Sequence, residues 1–143
     1  MNDAPKPLTL SLTLDWEEGL RFRGQCGAAT IVLDSAHAAQ AGPTPVQALA
    51  FSLAGCMGID VVNILVKGRH PLEGLQARLD AERSPEDPKR LTAVRLHFVV
   101  TGAVPPGAVE RALQLSRDKY CSVWNSLRQD IDFRTSFEIT AAS

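Results

Sequence analysis

The chain has 143 residues, of which 45% are hydrophobic and 22% charged, and its formal net charge at pH 7 is −1. This length and composition predict one ordinary globular domain spanning residues 1–143. A charge this close to zero offers no basic surface, so neither nucleic acid nor a membrane is expected as a partner.

The N-terminus and the cysteine count bear on the compartment. Residues 1–12 lack the basic stretch followed by an apolar one that marks a signal peptide. Three cysteines, an odd number, are too few for a disulfide framework. We therefore expect a cytoplasmic protein whose thiols are reduced at rest.

Three strands are predicted before the first helix. Leucines at positions 8, 10, 12 and 14 alternate with polar residues, which is typical of a half-buried strand. The next strand places Arg21 and Arg23 on one face. A loop over residues 34–43 follows the third strand. The predicted strand ranges are Leu8–Asp15, Leu20–Gln25 and Ala28–Leu33.

A long central helix is predicted from Pro45 to Lys67. Thr44 can cap its N-terminus, Pro45 suits the first helical position, and Gln47 completes a capping box. Gly68 after Lys67 is an equally good stop.

The central helix is apolar around nearly its whole circumference, so it must be surrounded by other elements. A chain this short cannot surround it alone, and we therefore expect a homodimer whose subunits wrap each other's helices. Asp60 and Asn63 interrupt the apolar run and amphipathic strands flank it, so a transmembrane span is not predicted.

The second half of the chain alternates strands and helices. The resulting order of strands, helix, hairpin, helices and strand predicts an α+β fold. The predicted elements are a strand at Leu75–Glu82, a strand with Val94, Leu96, Phe98 and Val100 inside, a helix opening at Pro105, a helical segment at Cys121–Arg128, and a strand at Ile131–Ile139.

The two helix-borne cysteines, Cys56 and Cys121, are the residues most suggestive of chemistry. A reactive thiol must ionise, and apolar burial disfavours the charged form. Cys56 would therefore need a nearby cation, which Arg21 or Arg23 could supply across a dimer interface. Asp60, one turn beyond Cys56, would oppose ionisation unless an arginine pairs with it. The alternative is that both thiols are inert core residues.

No metal and no cofactor are predicted. His37, His70 and His97 are scattered along the chain, and no spacing pairs them with cysteines or carboxylates. No glycine-rich phosphate loop and no serine elbow occurs.

The stretch GPTPVQALAFSLAGCMGIDVVNILVKGR, together with LSRDKYCSVWNSL, resembles the OsmC/Ohr superfamily. The specific features are a proline that starts the central helix, a cysteine eleven residues later, and a second cysteine in a late segment. The runs G-C-x-x-x-D-V-V-x-I-L and K-Y-C-S-V are typical of a less characterised OsmC-like branch.

The resemblance implies antiparallel sheets wrapped around long central helices in an intertwined homodimer, with active sites at the interface. In well-studied members the central-helix cysteine, here Cys56, attacks a hydroperoxide and becomes a sulfenic acid. The second cysteine, here Cys121, resolves it as a disulfide, which an external dithiol reduces.

Several positions depart from the peroxidase pattern. Val46 replaces a glutamate, Ser122 replaces a proline, and the family's arginine is matched only by the candidates Arg21 and Arg23. A second hypothesis is therefore a non-catalytic dimer that binds a small apolar ligand or senses redox state. Its cleft would be lined by Phe51, Met57 and Trp124.

Overall fold

The structure, a computed structural model, describes residues 4–141, and over that range six strands form two three-stranded sheets. Sheets and helices together confirm the α+β prediction. The elements are β1 Thr13–Glu18, β2 Arg21–Cys26, β3 Ala29–Asp34, α1 Pro45–Lys67, β4 Leu72–Arg83, β5 Leu91–Gly102, α2 Pro106–Leu115, a π-helical turn Ser116–Tyr120, a 3₁₀ helix Trp124–Ser126 and β6 Asp132–Thr140.

The chain divides into two compact units between Leu49 and Ala50, inside α1. The N-terminal unit carries the first sheet, and the C-terminal unit carries the second sheet and most of α1. That residues 1–143 form a single domain stays a prediction.

The first sheet is an antiparallel meander, β1-β2-β3. Gly19 and Gly27, both with positive φ, make its two tight turns, as glycine can at no steric cost. The strand predicted at Leu8–Asp15 is wrong over its first half, since β1 begins only at Thr13. Thr13 pairs with Gln25, one residue before the end of β2, so β2 can offer a partner to at most one residue before Thr13.

Asp34 organises the loop between β3 and α1. Its side chain is only 1% exposed and accepts hydrogen bonds from the backbone N–H groups of Ala36 (2.9 Å) and Ala41 (3.0 Å) and from Arg21 Nε (3.2 Å). These backbone donors, together with the Arg21 guanidinium, hold the pKa of the Asp34 carboxyl below its ordinary value.

Helix α1 begins and ends as the sequence predicts. Thr44 Oγ1 accepts from the Gln47 N–H (3.1 Å) and Gln47 Oε1 accepts from the Thr44 N–H (3.0 Å), which is the expected capping box. At the C-terminus the left-handed residue is Arg69, with φ of 59°, rather than Gly68. The N–H of His70 reaches Leu65 O (3.0 Å), which closes the helix.

Within the C-terminal unit α1 buries one stripe and leaves an apolar face open. The buried residues are Leu53, Met57, Val61 and Leu65. Phe51 and Ile59, which are 73% and 71% exposed, lie on the open side of α1. By length and composition α1 could cross a membrane, a test that the central helix of a soluble protein also passes.

The second sheet has the order β4-β5-β6 and is mixed. β4 and β5 are antiparallel, in agreement with the expectation of antiparallel sheets, but β6 runs parallel to β5 and departs from it. A parallel pair needs a crossover connection, which α2 and the turns after it supply. The inner residues of β5 are buried as predicted: Val94, Leu96, Phe98 and Val100.

We predict that Asp34→Asn destabilises the protein at neutral pH and that the difference from wild type narrows in acid. A carboxyl whose folded pKa is depressed contributes stability above its unfolded pKa, and that stability is lost as the pH falls through the folded pKa. Urea unfolding at neutral and acid pH measures this, with the exposed Asp15→Asn as the matched control. Equal losses for the two variants at neutral pH would contradict the role given to Asp34.

Candidate functional site

The two predicted cysteines lie together, with a carboxylate beside them. The sulfur atoms of Cys56 and Cys121 and a carboxylate oxygen of Asp60 all lie within 4.8 Å of one another. Cys56 and Asp60 are one turn apart on α1, as the sequence indicates, while Cys121 comes from the far end of the π-helical turn. Cys56 and Asp60 are half-buried, and Cys121 is 0% exposed.

Cys121 is not held in a helix, which corrects the prediction of a helical segment over residues 121–128. Its φ and ψ of −72° and 98° are extended, and its N–H donates to Ser116 O (2.7 Å) in the wide bond of a π-helical turn. Helical backbone angles resume at Val123, directly before the 3₁₀ helix at Trp124–Ser126.

Ser116 connects the turn to α1. It is completely buried, and its hydroxyl donates a 2.7 Å hydrogen bond to Asp60 Oδ2. Its carbonyl accepts the N–H of Cys121, so one residue fixes the carboxylate and the thiol in relation to each other. This role was not predicted from the sequence. The signal that could have indicated it is a serine on the apolar stripe of the predicted helix.

Short hydrogen bonds fix the conformation of the segment around Cys121. The Trp124 N–H donates to Cys121 Sγ (3.3 Å). Asn125 Nδ2 donates to Cys121 O (2.8 Å) and to Arg117 O (3.0 Å). The thiol is therefore held by backbone and amide contacts on a segment that is otherwise irregular.

An aromatic and cationic stack supports the same segment. The Trp124 and Phe133 rings lie 4.4 Å apart at a 43° angle, and the Arg117 guanidinium lies over both, at 5.5 and 4.9 Å. Arg117 Nη1 also donates to Phe133 O (2.7 Å). Such contacts contribute beyond buried area, and here they attach the turn to β6.

The environment of Cys121 keeps its thiol protonated. Burial, with a smaller contribution from the neighbouring Cys56, raises the pKa of Cys121 to about 11, against the lowering effect of the Trp124 and Val123 N–H groups. At neutral pH this sulfur is therefore a thiol rather than a thiolate.

The two arginines predicted near Cys56 are engaged with carboxylates inside the N-terminal unit. Arg21 pairs with Asp34 and Glu18, each at 3.2 Å, and Arg23 pairs with Glu17 at 3.3 Å. Their action on Cys56 stays a prediction.

Within residues 4–141 one group of possible metal-ligating side chains lies close enough together to share a metal ion, and it consists of Cys56, Asp60 and Cys121. The sequence spacing did not bring them together, because Cys121 lies on a separate element. These thiols could ligate a metal or carry out redox chemistry. That the protein binds no metal therefore stays a prediction.

The cleft predicted for an apolar ligand is not formed by its three expected residues. Met57 and Trp124 are buried in the core, whereas Phe51 lies on the open face of α1. That face forms an apolar groove, which we call the α1 groove. It is lined by Phe51, Ala54, Gly55, Gly58, Ile59, Val62, Asn63, Val66, Leu75 and Ala77.

A family model described as OsmC-like protein matches residues 37–136, which include both cysteines and Asp60. The chain belongs to the OsmC-like family. Protein YhfA of Escherichia coli K12 is 38% identical over 128 residues, covering 89% of this chain and 96% of YhfA.

Solved structures of the OsmC-like fold match almost the whole chain. A hypothetical protein from Aquifex aeolicus VF5 superposes with a TM-score of 0.87 at 25% identity, over 96% of this chain and 100% of that one. The organic hydroperoxide resistance protein OhrB of Bacillus subtilis superposes with a TM-score of 0.61 at 14% identity, over 92% of this chain and 98% of that one.

Val46 is one of the positions at which this OsmC-like chain departs from the peroxidase pattern given by the resemblance. Val46 lies half-buried in the first turn of α1, where that pattern has a glutamate. The next side chain, Gln47, is occupied by the capping box and by Gln40 Nε2 (2.9 Å), so it does not replace the missing carboxylate.

We predict that Cys121 is the slowest thiol of this OsmC-like protein to be alkylated. Iodoacetamide reacts with thiolate, and Cys121 is both buried and raised in pKa to about 11, so its alkylation should accelerate steeply as the pH rises toward that value. Peptide mass spectrometry over a pH series measures this, with the half-buried Cys26 as internal reference. Equal alkylation rates for Cys26 and Cys121 at neutral pH would show that burial does not slow the reaction of Cys121.

Proposed function

We propose that the protein is a thiol-dependent peroxidase that reduces organic hydroperoxides or hydrogen peroxide through Cys56 and Cys121. The observation that carries this proposal is the approach of the two sulfur atoms to within 4.8 Å. A disulfide bond is about 2.05 Å long, and rotation of a half-buried side chain covers much of the remaining gap. The names of related proteins support the substrate class, since OhrB of Bacillus subtilis is an organic hydroperoxide resistance protein.

The exposure of the two thiols supports the order of the steps. Cys56 is half-buried and Cys121 is sealed, so a peroxide that enters from solvent meets Cys56 first. The Cys56 thiol releases its proton, and the thiolate attacks the terminal oxygen of the hydroperoxide. The O–O bond breaks, and the leaving oxygen takes up one proton, which balances the one released by the thiol, to depart as an alcohol or water. Cys56 becomes a sulfenic acid.

The second step uses Cys121. Its sulfur attacks the Cys56 sulfur, the sulfenic hydroxyl leaves as water, and the disulfide forms. An external dithiol then restores both thiols by exchange. Over the cycle one hydroperoxide and two thiols give one alcohol, one water molecule and one disulfide.

A homodimer is part of the proposal. A monomer would expose the α1 groove as a contiguous apolar patch, which is unusual for a soluble monomer. Gly55 and Gly58, which lie on this face, would allow a partner helix to approach closely. In that assembly Arg21 or Arg23 is our candidate for the cation that favours the Cys56 thiolate, and cytoplasmic reductants would supply the dithiol.

The binding hypothesis has less support. Two of its three expected lining residues, Met57 and Trp124, are core residues, and the α1 groove is the surface that the proposed dimer covers. A redox-inert protein would leave both thiols unchanged by peroxide, and the next experiment separates these cases.

We predict that tert-butyl hydroperoxide is turned over in the presence of a dithiol and that Cys56→Ser abolishes turnover. Cys121→Ser should instead accumulate a sulfenic acid that a dimedone probe labels, because nothing resolves it. Cys26→Ser is the matched control and should keep the wild-type rate. Absence of labelling in Cys121→Ser, with no turnover in the wild type, would refute the peroxidase.

We predict that the protein is a dimer at low micromolar concentration and that Ile59→Asp shifts it to monomer or aggregate. The substitution places a charge in the middle of the α1 groove, where its desolvation opposes association. Sedimentation velocity measures the effect. Gln76→Asp, on the opposite face of β4 from Leu75 and Ala77, is the control. A wild-type monomer that is folded and soluble would contradict the dimer.

A further inference from the structure

Placing the Asp60 carboxylate in a half-buried site costs free energy of desolvation, which suggests that the carboxylate has a role there. Its carboxylate is half-buried, and its close neighbours are two sulfur atoms and one hydroxyl. A negative charge beside a thiol in general disfavours the thiolate, so the place of this carboxylate needs another explanation. A group that only filled space here would be better replaced by an uncharged side chain.

Ser116 holds the carboxylate toward the cysteines. Its hydroxyl takes one oxygen, Oδ2, at 2.7 Å, and its own carbonyl binds the backbone of Cys121 at 2.7 Å. The carboxylate is thereby fixed in relation to the Cys121 thiol. The cluster places a carboxylate oxygen within 4.8 Å of both sulfur atoms, a gap that one water molecule or a small rotation spans.

The resolving step has an unmet requirement. Thiolate is the nucleophile in disulfide formation, and Cys121 is buried as a protonated thiol. The proton on its sulfur has to leave as the S–S bond forms. At the same time the hydroxyl leaving Cys56 needs a proton to depart as water rather than as hydroxide.

We infer that Asp60 relays this proton from Cys121 to the hydroxyl that leaves Cys56. As the Cys121 sulfur attacks, its S–H proton passes to the carboxylate. The bond between the Cys56 sulfur and the hydroxyl breaks, and the carboxylate gives the proton to the departing oxygen. The products are the disulfide, one water molecule and the original carboxylate.

This inference rests on the proposed function for its oxidant, a hydroperoxide. It also accounts for a carboxylate that lies close to both sulfurs, since a relay must reach the donor of the proton and its final acceptor. A carboxylate that served only to attach α1 to the π-helical turn would need its hydrogen bond to Ser116, but it would not need to lie close to both sulfur atoms.

The two cations of the π-helical turn are engaged with aromatic rings. Arg117 lies over the rings of Trp124 and Phe133, and Lys119 lies over the Tyr120 ring at 5.3 Å. The charged residues on the elements that carry the cluster are Asp60 and Lys67 on α1 and Arg117, Asp118 and Lys119 on the π-helical turn.

The test separates the two chemical steps in rapid-mixing experiments on the reduced protein, with a chelator present. Sulfenic acid formation and disulfide closure are followed after mixing with tert-butyl hydroperoxide. Asp60→Asn keeps the size of the side chain and an oxygen for Ser116 but cannot accept the proton. Asp118→Asn, an exposed carboxylate on the same turn, is the matched control.

We expect Asp60→Asn to form sulfenic acid at the wild-type rate or faster and to close the disulfide about a hundredfold more slowly at neutral pH. Closure in Asp60→Asn should accelerate with rising pH, because it then depends on the thiolate fraction of Cys121, whereas wild-type closure should vary little. Ser116→Ala keeps the Asp60 carboxylate but removes the hydroxyl that holds it. Its rate of disulfide closure should lie between those of the wild type and Asp60→Asn. Closure at the wild-type rate and pH profile in Asp60→Asn would overturn the relay.

A second oxidant makes the relay testable apart from the peroxidase. An aromatic disulfide reagent forms a mixed disulfide with Cys56, and Cys121 must again lose its proton to displace the coloured thiolate. One outcome is that hydroperoxide oxidises none of the proteins, wild type included, while Asp60→Asn still slows this displacement. The peroxidase is then refuted and the proton-accepting role stands. If hydroperoxide reacts and neither closure depends on Asp60, the relay is refuted and the peroxidase stands.

Discussion

The hydrogen bond from the Ser116 hydroxyl to Asp60 ties the central helix to the turn that carries the second cysteine. Without it the buried Ser116 hydroxyl would lose its partner, at a cost of about 1–3 kcal/mol, and the carboxylate of Asp60 would lose the contact that fixes its position. The same serine accepts the N–H of Cys121 through its carbonyl. The relative position of the two sulfurs therefore depends on this residue, which itself carries out no chemistry.

The rest of the C-terminal unit holds that turn in place. The crossover from β5 to the parallel β6 brings Phe133 under Trp124, and Arg117 covers both rings and binds the β6 backbone. The π-helical turn is wide enough to direct Ser116 and Cys121 toward α1 together. Its place beside the candidate site agrees with the general tendency of π-bulges to occur at functional positions.

Local signals made the central helix predictable, and long-range pairing limited the other predictions. Thr44, Gln47 and the stop after Lys67 act within a few residues, so both helix ends were predicted correctly. The start of β1 depends on where β2 ends, and the direction of β6 depends on a crossover, neither of which is local. In the site, the helical period placed Asp60 near Cys56, but the approach of Cys121 came only from the family resemblance. Ser116 was missed because its partner lies on another element.

The central claim is that Cys56 and Cys121 form one reactive pair, and disulfide mapping tests it most directly. The reduced protein is treated with an equimolar amount of tert-butyl hydroperoxide, the remaining thiols are blocked, and peptides are identified by mass spectrometry without reduction. The account predicts a disulfide between Cys56 and Cys121 within one chain, with Cys26 recovered as a free thiol. Two free thiols at Cys56 and Cys121, or a bridge that includes Cys26, would contradict it.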